Sequence, residues 1–432
     1  MSIVLVGVGF AAMLALMFLS IPVAIAIVVV GALGGYLMFG MPMVEIMGGV
    51  VWASLNSPSM LAIPLFMLLG ELLLRSGIAD RMFETLAVWF DRLPGGLLHT
   101  NIATCTLFSA TSGSSVATAA TVGSIALPAL HERKYPVKPS LGTLAAGGTL
   151  GILIPPSINL LVYGSLANTA VGQLFAAGVL PGLLLASLFS LYVIVVHRNA
   201  NPVTQNERVP LREKLKSLIH LIPAVVIFVV VMGSIYGGLA TPTESAALGV
   251  VIALGFVYFS GKLDWELFVN CSLHAAKTTG MVVLVLACAL LLNVTISMLG
   301  VTQAVTNWIV SFELERLTLL FILICFYIVL GAFLDAMSML VLTVPIALPM
   351  VTAVGVDPIW FGIFIVVMCE IALITPPVGM NLFVVEGVRV DNGSFSDVIS
   401  GTLPFVAIMI GVAIMFVVFP EFVMWLPNMV AN

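Results

Sequence analysis

The chain has 432 residues, of which 61% are hydrophobic and only 8% charged, with a mean hydropathy of +1.22. That excludes an ordinary soluble domain, where about 25% of residues are charged. The formal net charge of -5 says little about partners because so few charges exist; where the basic residues sit is the informative signal. Apolar runs of roughly 20 residues recur from Ile3 to Val430, each long enough to cross a hydrocarbon core of about 30 Å. The five cysteines, Cys105, Cys271, Cys288, Cys325 and Cys369, form no CxxC or Cys/His cluster and read as small packing residues. The N-terminus lacks a basic region, so no cleavable signal peptide is expected. The absence of a nucleotide-binding glycine loop argues against ATP hydrolysis.

In chain order the pattern predicts spans over about 3–19, 22–40, 57–75, 139–166, 171–196, 217–237, 243–260, 277–299, 357–388 and 402–424. Ala79–Phe90, Asp264–Ala276 and Gln303–Leu314 mix charged or polar with apolar residues, the pattern of helices lying in the membrane interface. Two pairs of stretches, about 97–110 with 115–130 and 316–331 with 336–350, are too short or interrupted to span fully and read as re-entrant hairpins. Loops rich in Lys and Arg are cytoplasmic. His131–Pro139 carries Arg133, Lys134 and Lys138, and His197–Lys216 carries Arg198, Arg208, Arg212, Lys214 and Lys216. Two spans separate these loops, so the parity agrees. Val351–Asp357 has no Lys or Arg and is expected on the periplasmic side.

An internal repeat organises these segments. Ile125-Ala126-Leu127-Pro128 recurs as Ile346-Ala347-Leu348-Pro349, and Pro155-Pro156 as Pro376-Pro377. Both pairs share one offset, 346 − 125 = 376 − 155 = 221. The hairpins precede loops of opposite sidedness, so they enter from opposite faces and the repeat is inverted. Inverted repeats with interrupted helices are a transporter signature, with solute and ion sites near the midplane.

Ser109-Ala110-Thr111-Ser112-Gly113-Ser114-Ser115 places five hydroxyls and a glycine at the first hairpin tip. In lipid that is costly unless the backbone turns there and lines a polar cavity; close helix packing by small residues is the plainer reading. Hydroxyls and free carbonyls are hard ligands suited to a small cation, and helix N-termini suit an anion. Ile154-Pro155-Pro156-Ser157-Ile158-Asn159 breaks a helix at membrane depth, because tandem prolines remove two amide donors. Thr375-Pro376-Pro377-Val378-Gly379-Met380-Asn381 repeats the break. At the second tip, Gly331–Ser338, Asp335 aligns with Ser114 at the shared offset; an intramembrane carboxylate is expensive and points to function. Glu370 is open to either packing or function. Thr241-Pro242-Thr243-Glu244 reads as a helix capping box. Asp335 has no second acid or base at suitable spacing, which argues against an intramembrane hydrolase. A channel would differ in needing no coupling.

The chain resembles the large membrane subunit of tripartite ATP-independent periplasmic (TRAP) transporters. The resemblance rests on Ser112-Gly113-Ser114-Ser115, Ile154-Pro155-Pro156-Ser157, Tyr163-Gly164, Leu174–Gly178 with Leu180-Pro181-Gly182, Thr241–Ser245, Phe333-Leu334-Asp335 and Thr375–Gly379. It implies an all-α polytopic inner-membrane transporter working by an elevator movement and coupled to sodium. The implied partners are a small four-helix membrane subunit and a periplasmic substrate-binding protein, neither expected to be fused here. It further implies import of a small carboxylate such as a C4-dicarboxylate, keto acid or sialic acid. A stand-alone sodium/carboxylate symporter is the alternative. On this reading Ser112, Ser114, Pro155, Ser157, Asp335, Ser338, Thr375 and Gly379 hold Na+, and Ser114, Ser115, Asn159 and Asn381 meet the substrate. The expected organisation is scaffold helices over 1–56, a first repeat over 57–196, a cytoplasmic loop and central scaffold helices over 197–276, and a second repeat over 277–432. The hairpins fall at about 97–130 and 316–350, and the broken helices at about 139–166 and 357–388. Val116–Ser124 cannot choose the substrate, and Arg389, at a helix end, reads as a topological anchor.

Overall fold

The computed structural model describes residues 3–19, 21–56, 58–198, 210–311 and 315–430. Arg208, with the rest of 199–209 in the second basic loop, and residues 312–314 of the expected amphipathic stretch lie outside the described residues. Every regular element among the described residues is a helix, as hydrocarbon requires of a chain with no closed barrel, since each N–H and C=O must be satisfied within its own segment.

The N-terminal part is α1 (Ile3–Phe18), α2 (Val23–Phe39) and α3 (Met41–Leu55). One succession follows: α4 (Pro58–Arg75), α5 (Ile78–Phe90), the hairpin α6 (Leu97–Ser112) and α7 (Ser115–Glu132), the interrupted pair α8 (Val137–Thr149) and α9 (Ile158–Ala167), and α10 (Val171–His197). After α11 (Leu211–Ser217), α12 (Ile222–Tyr236) and α13 (Pro242–Phe259), the same succession returns. It comprises α14 (Trp265–Met298), α15 (Val301–Val310), the hairpin α16 (Arg316–Gly331) and α17 (Ala336–Ala353), the interrupted pair α18 (Pro358–Leu373) and α19 (Met380–Gly387), and α20 (Phe395–Val418). The chain closes with α21 (Pro420–Val430).

Among the described residues six helical runs are at least 18 residues long and apolar enough to cross a membrane, α10, Leu211–Tyr236, α13, α14, α17 and α20, and α4 with α5, bent by 64°, would make a seventh. Ten spans were expected, and 336–350 was expected to be too short for one. α17 instead reaches Ala353 and is 18 residues long, whereas α1 and α2 are only 16 and 17 residues long and the two interrupted spans each divide into short pieces. Three further differences have local causes. Asp264–Ala276 and 277–299 form one continuous helix: Asp264 caps it by accepting the Leu267 N–H at 2.6 Å, and no proline interrupts its 34 residues. At about 1.5 Å per residue it is roughly 50 Å long and overshoots the hydrocarbon core. Residues 41–55, assigned to no element from sequence, form α3, which packs on α2 and α14 through the buried Met43. The expected span 402–424 ends at Val418, because Pro420 disfavours helical backbone at Phe419, whose φ is -122° and ψ 70°.

The two halves interlock. α9 packs on α17 and α18, while α19 packs on α7 and α8. Tyr163 on α9 is fully buried and its hydroxyl donates to the Pro358 carbonyl at the start of α18. Outward, Leu191, Val195, Val229, Val251, Leu284 and Val418 are exposed, an apolar surface suited to lipid rather than water. The capping box at Thr241 is formed as expected, with Glu244 accepting the Thr241 N–H at 2.7 Å.

Candidate functional site

The first tip is built by two capping residues. Gly113 ends α6 in the left-handed region, at φ +62°, and Ser114 opens α7 with its Oγ accepting the Ala117 N–H at 3.4 Å. Ser112 Oγ and Thr118 Oγ1 bond each other at 2.9 Å, and Thr118 Oγ1 donates to the Ser114 carbonyl at 2.7 Å. Ser112, Ser115 and Thr118 are buried. This tip is seated on the first helix break. A methyl group on Gly113 would come within 2.6 Å of the Pro156 carbonyl oxygen, and one on Gly151 within 2.7 Å of the Ser114 carbonyl and the Ser115 nitrogen. Only glycine at both positions lets the two backbones approach this closely.

The break itself is wholly buried, from Gly151 to Leu160. One turn of 3-10 helix, Leu150–Ile152, precedes it, and Pro155-Pro156 is cis. Ser157 closes it: its hydroxyl donates to the Ile152 carbonyl and accepts the Leu160 N–H, capping α9. Asn159 follows, buried, with its Nδ2 unpartnered in the protein.

The second tip repeats the design with a carboxylate. Asp335 caps α17, its Oδ2 accepting the N–H groups of Met337 at 3.1 Å and Ser338 at 3.2 Å, while the Ser338 hydroxyl donates to Oδ1. The Val378 N–H donates to the Ala332 carbonyl at 3.2 Å, fastening this tip to the second break. Within the break, the Thr375 hydroxyl donates to Ile371 O at 2.6 Å and the Gly379 N–H donates to Thr375 O at 3.1 Å; Pro376-Pro377 is cis. Here the surroundings differ. Thr375, Pro376 and Val378 are half-buried and Pro377 is exposed.

The structure thus seats the first tip on the first break, where Gly113 approaches Pro156 and Gly151 approaches Ser114 and Ser115, and the second tip on the second break, through Ala332 and Val378. It places Asn381 elsewhere: fully buried, it crosses into the first half, donating from Nδ2 to Ala145 O at 3.2 Å on α8, with its Oδ1 unpartnered. Glu370, five residues before the second break, is fully buried, with neither carboxyl oxygen hydrogen-bonded in the protein. Among the described residues no group of three or more His, Cys, Asp or Glu is placed to hold a metal ion. The chemistry on offer at the two tips is that of hydroxyls, backbone carbonyls and one carboxylate, hard oxygen donors with no transition-metal character.

Sequence reading missed the largest ionic cluster. The Arg389 side chain is only 3% exposed. It forks onto Asp391 at 2.6 and 2.7 Å, and reaches Asp397 at 3.1 Å, Glu386 at 3.3 Å and the Ser394 carbonyl at 2.9 Å. It is an internal tie between α19 and α20, not a solvent-facing anchor. Its hydrogen bonds hold the Asp391 carboxyl below the usual range, and the three carboxylates hold the guanidinium above its own. The signal was present in the acids flanking Arg389.

Helical hairpins butted against interrupted helices in a bundle with an apolar exterior define a membrane transport protein of the broken-helix class. The chain belongs to one family of that class, the DctM component of tripartite ATP-independent periplasmic transporters, whose family model matches residues 10–422. It is 35% identical over 377 residues to a C4-dicarboxylate TRAP transporter large permease protein of Pseudomonas aeruginosa, covering 86% of each chain. It is 32% identical over 403 residues to an isethionate TRAP transporter permease protein of Oleidesulfovibrio alaskensis; the match covers 92% of this chain but spans only 62% of that relative. The YdaH transporter of Alcanivorax borkumensis shares the fold, with a TM-score of 0.57 at 14% identity, covering 89% of this chain and 90% of that one.

Proposed function

We propose that this chain is the large transmembrane subunit of a sodium-coupled importer of a small organic anion in a bacterial inner membrane. The observation that supports this best is the double seating of a capped hairpin tip on a helix break, once with Ser114 and once with Asp335. Each seating gathers hydroxyls and backbone carbonyls where lipid offers the backbone no partner. Ser112, Ser114, Pro155 and Ser157 form one Na+ locus; Asp335, Ser338, Thr375 and Gly379 form the other. Ser115 and Asn159 lie beside the first locus and meet the substrate. Asn381, drawn to α8, acts from between the halves. The repeats are inverted and the hairpin-bearing part moves as an elevator against the scaffold helices. TRAP large subunits work with a periplasmic binding protein and a small membrane subunit, so membership of the family favours this over a stand-alone symporter. The two relatives are named for a dicarboxylate and a sulfonate, both small organic anions, which supports a substrate of that class here.

The test is uptake into proteoliposomes carrying this chain and its small subunit, with the binding protein outside. An inward sodium gradient should drive accumulation, and omission of the binding protein should abolish it. Equal uptake in choline chloride would refute the coupling, and uptake by the chain alone would favour the stand-alone reading.

A further inference from the structure

Away from both tips, a cavity of about 610 Å³ lies where α16 begins, α17 turns into α18 and α20 gives way to α21. Its lining includes Arg316, Asp357, Trp360, Glu421, Trp425 and Asn428. Two donors in it are unsatisfied. Trp360 is only 1% exposed and its indole N–H finds no acceptor in the protein; Arg316 Nε is buried without one as well. Buried Trp and Arg donors ordinarily have partners, so the acceptor has to come from the cavity. Two carboxylates share its wall. Asp357 caps α18 through Oδ1, and Glu421 stands exposed in the first turn of α21. α21 is two-faced: Val423 and Pro427 are buried, whereas Trp425 and Met429 are exposed. Helices of that kind lie in the membrane interface, with Trp at the headgroup level. Next to Arg316 and Pro420 in the chain, Leu317 and Phe321 on α16 and Val418 at the end of α20 are exposed, an apolar surface adjoining the polar cavity.

The geometry points to a binding site for one zwitterionic phospholipid, phosphatidylethanolamine, held by its headgroup. The phosphate is the acceptor for Arg316 and for the Trp360 N–H, the primary ammonium pairs with Asp357 and Glu421, and the acyl chains lie along Leu317, Phe321 and Val418. Phosphatidylglycerol carries the phosphate but no cation for the two carboxylates. Phosphatidylcholine carries a cation with no N–H to donate to them. Free phosphate answers the donors alone and uses neither the acids nor the apolar surface. Val351–Asp357 is expected on the periplasmic side, which assigns the lipid to that leaflet. Bound there, the headgroup bridges α16, the α17–α18 turn and α21. Trp425 and Asn428 stand beyond residue 422, where the family match ends, so this wall of the site lies outside the matched family pattern.

Native mass spectrometry of the detergent-purified full chain tests this, after delipidation and exposure to phosphatidylethanolamine, phosphatidylglycerol and phosphatidylcholine with identical acyl chains. One phosphatidylethanolamine should be retained, at least about threefold over either competitor, the scale that two exposed ion pairs allow. Arg316→Gln should lower that retention at least about threefold. Glu421→Gln, an isosteric change at an exposed position, should narrow the preference over phosphatidylglycerol. If Arg316→Gln does not fold, the wild-type ranking and Glu421→Gln decide. Equal retention of the three lipids, or of none, overturns the proposal. So does a rise in melting temperature with inorganic phosphate equal to that with phosphatidylethanolamine, which would make this a free-anion pocket. Unaltered lipid retention in Glu421→Gln together with weaker binding-protein-dependent uptake would overturn it too, and would assign this surface to the binding protein.

Discussion

Replacing Asp335 by Asn separates two jobs that one side chain performs. The first is structural: Oδ2 accepts two N–H groups at the start of α17 and Oδ1 accepts the Ser338 hydroxyl. Asn caps helices about as well as Asp, so the folded state should lose no more than about 0.5 kcal/mol; the Ser338 hydroxyl can turn to accept from the new amide. The second job, on the proposed sodium site, is electrostatic. Removing a unit charge about 4 Å from a monovalent cation forfeits about 4 kcal/mol at an effective dielectric near 20, roughly a thousandfold in affinity. The two jobs therefore separate by nearly an order of magnitude in energy. The assay is paired: thermal unfolding of purified Asp335→Asn in choline, and the sodium concentration for half-maximal uptake in proteoliposomes. The expected result is an unchanged melting temperature with sodium-driven uptake abolished. Asp335→Ala is the control that also loses the cap, at about 0.5–2 kcal/mol. An Asn variant with an unaltered sodium requirement would remove Asp335 from the ion site, and one that failed to fold would make it a structural residue.

Gly113→Ala puts a methyl against the Pro156 carbonyl at left-handed φ. With about 1–2 kcal/mol for the backbone conformation and a displaced tip, uptake should fall at least tenfold while the bundle still inserts; full uptake would show that the tip need not sit on the break. Arg389→Ala strands Glu386, Asp391 and Asp397 together and should lower stability at neutral pH by about 1–3 kcal/mol, between the values for surface and buried pairs. Because Arg389 depresses the Asp391 pKa, that carboxylate stabilises the wild type fully above its unfolded value near 3.9, and the contribution is lost as pH falls through the lowered value. Urea titrations from pH 5 to pH 2 should show this acid-side loss in the wild type and a shallower one in the variant. Glu370→Met exchanges a buried carboxyl with no hydrogen-bond partner for an apolar chain of similar length, which is neutral or stabilising when nothing is left unpaired. Its melting temperature should stay level or rise, and a drop worth more than about 1 kcal/mol would show that the carboxyl has a folded-state partner.

The features legible in the sequence are those written in a few consecutive residues. Paired prolines break a helix whatever surrounds them, so the breaks read at Ile154–Asn159 and Thr375–Asn381 fall at the interruptions between α8 and α9 and between α18 and α19. Gly and Ser at 113–114, and Asp at 335, mark helix ends by their own chemistry, so all four hairpin arms agree with expectation to within three residues at each end. What escaped depends on partners distant in the chain or on reading polarity as position. The mixture of polar and apolar residues over Asp264–Ala276 suggested an interfacial segment, yet it belongs to one helix continuous with the expected span that follows. Asn381 looked like part of the second site by adjacency, but its amide is claimed by Ala145, 236 residues away. Arg389 looked solitary because its acids are spread over a turn whose shape the sequence does not announce.

The two tips differ at one position, and burial gives the reason. Ser114 and Asp335 stand 221 residues apart, the offset shared by the paired prolines, and each caps the second arm of its hairpin. Either side chain meets the demand of the fold, which is an oxygen acceptor for the first N–H groups of a helix. The choice between them is therefore left to electrostatics. Around Ser114 the adjoining break is buried from end to end, and a carboxylate there would lie without water whenever no cation was bound, a state costing several kcal/mol. Around Asp335 the break opens onto a cavity, where the charge can be hydrated between cations. On the proposed sodium-coupled reading, a neutral cap in the closed half and a charged one in the open half lets both tips stay stable while no ion is bound.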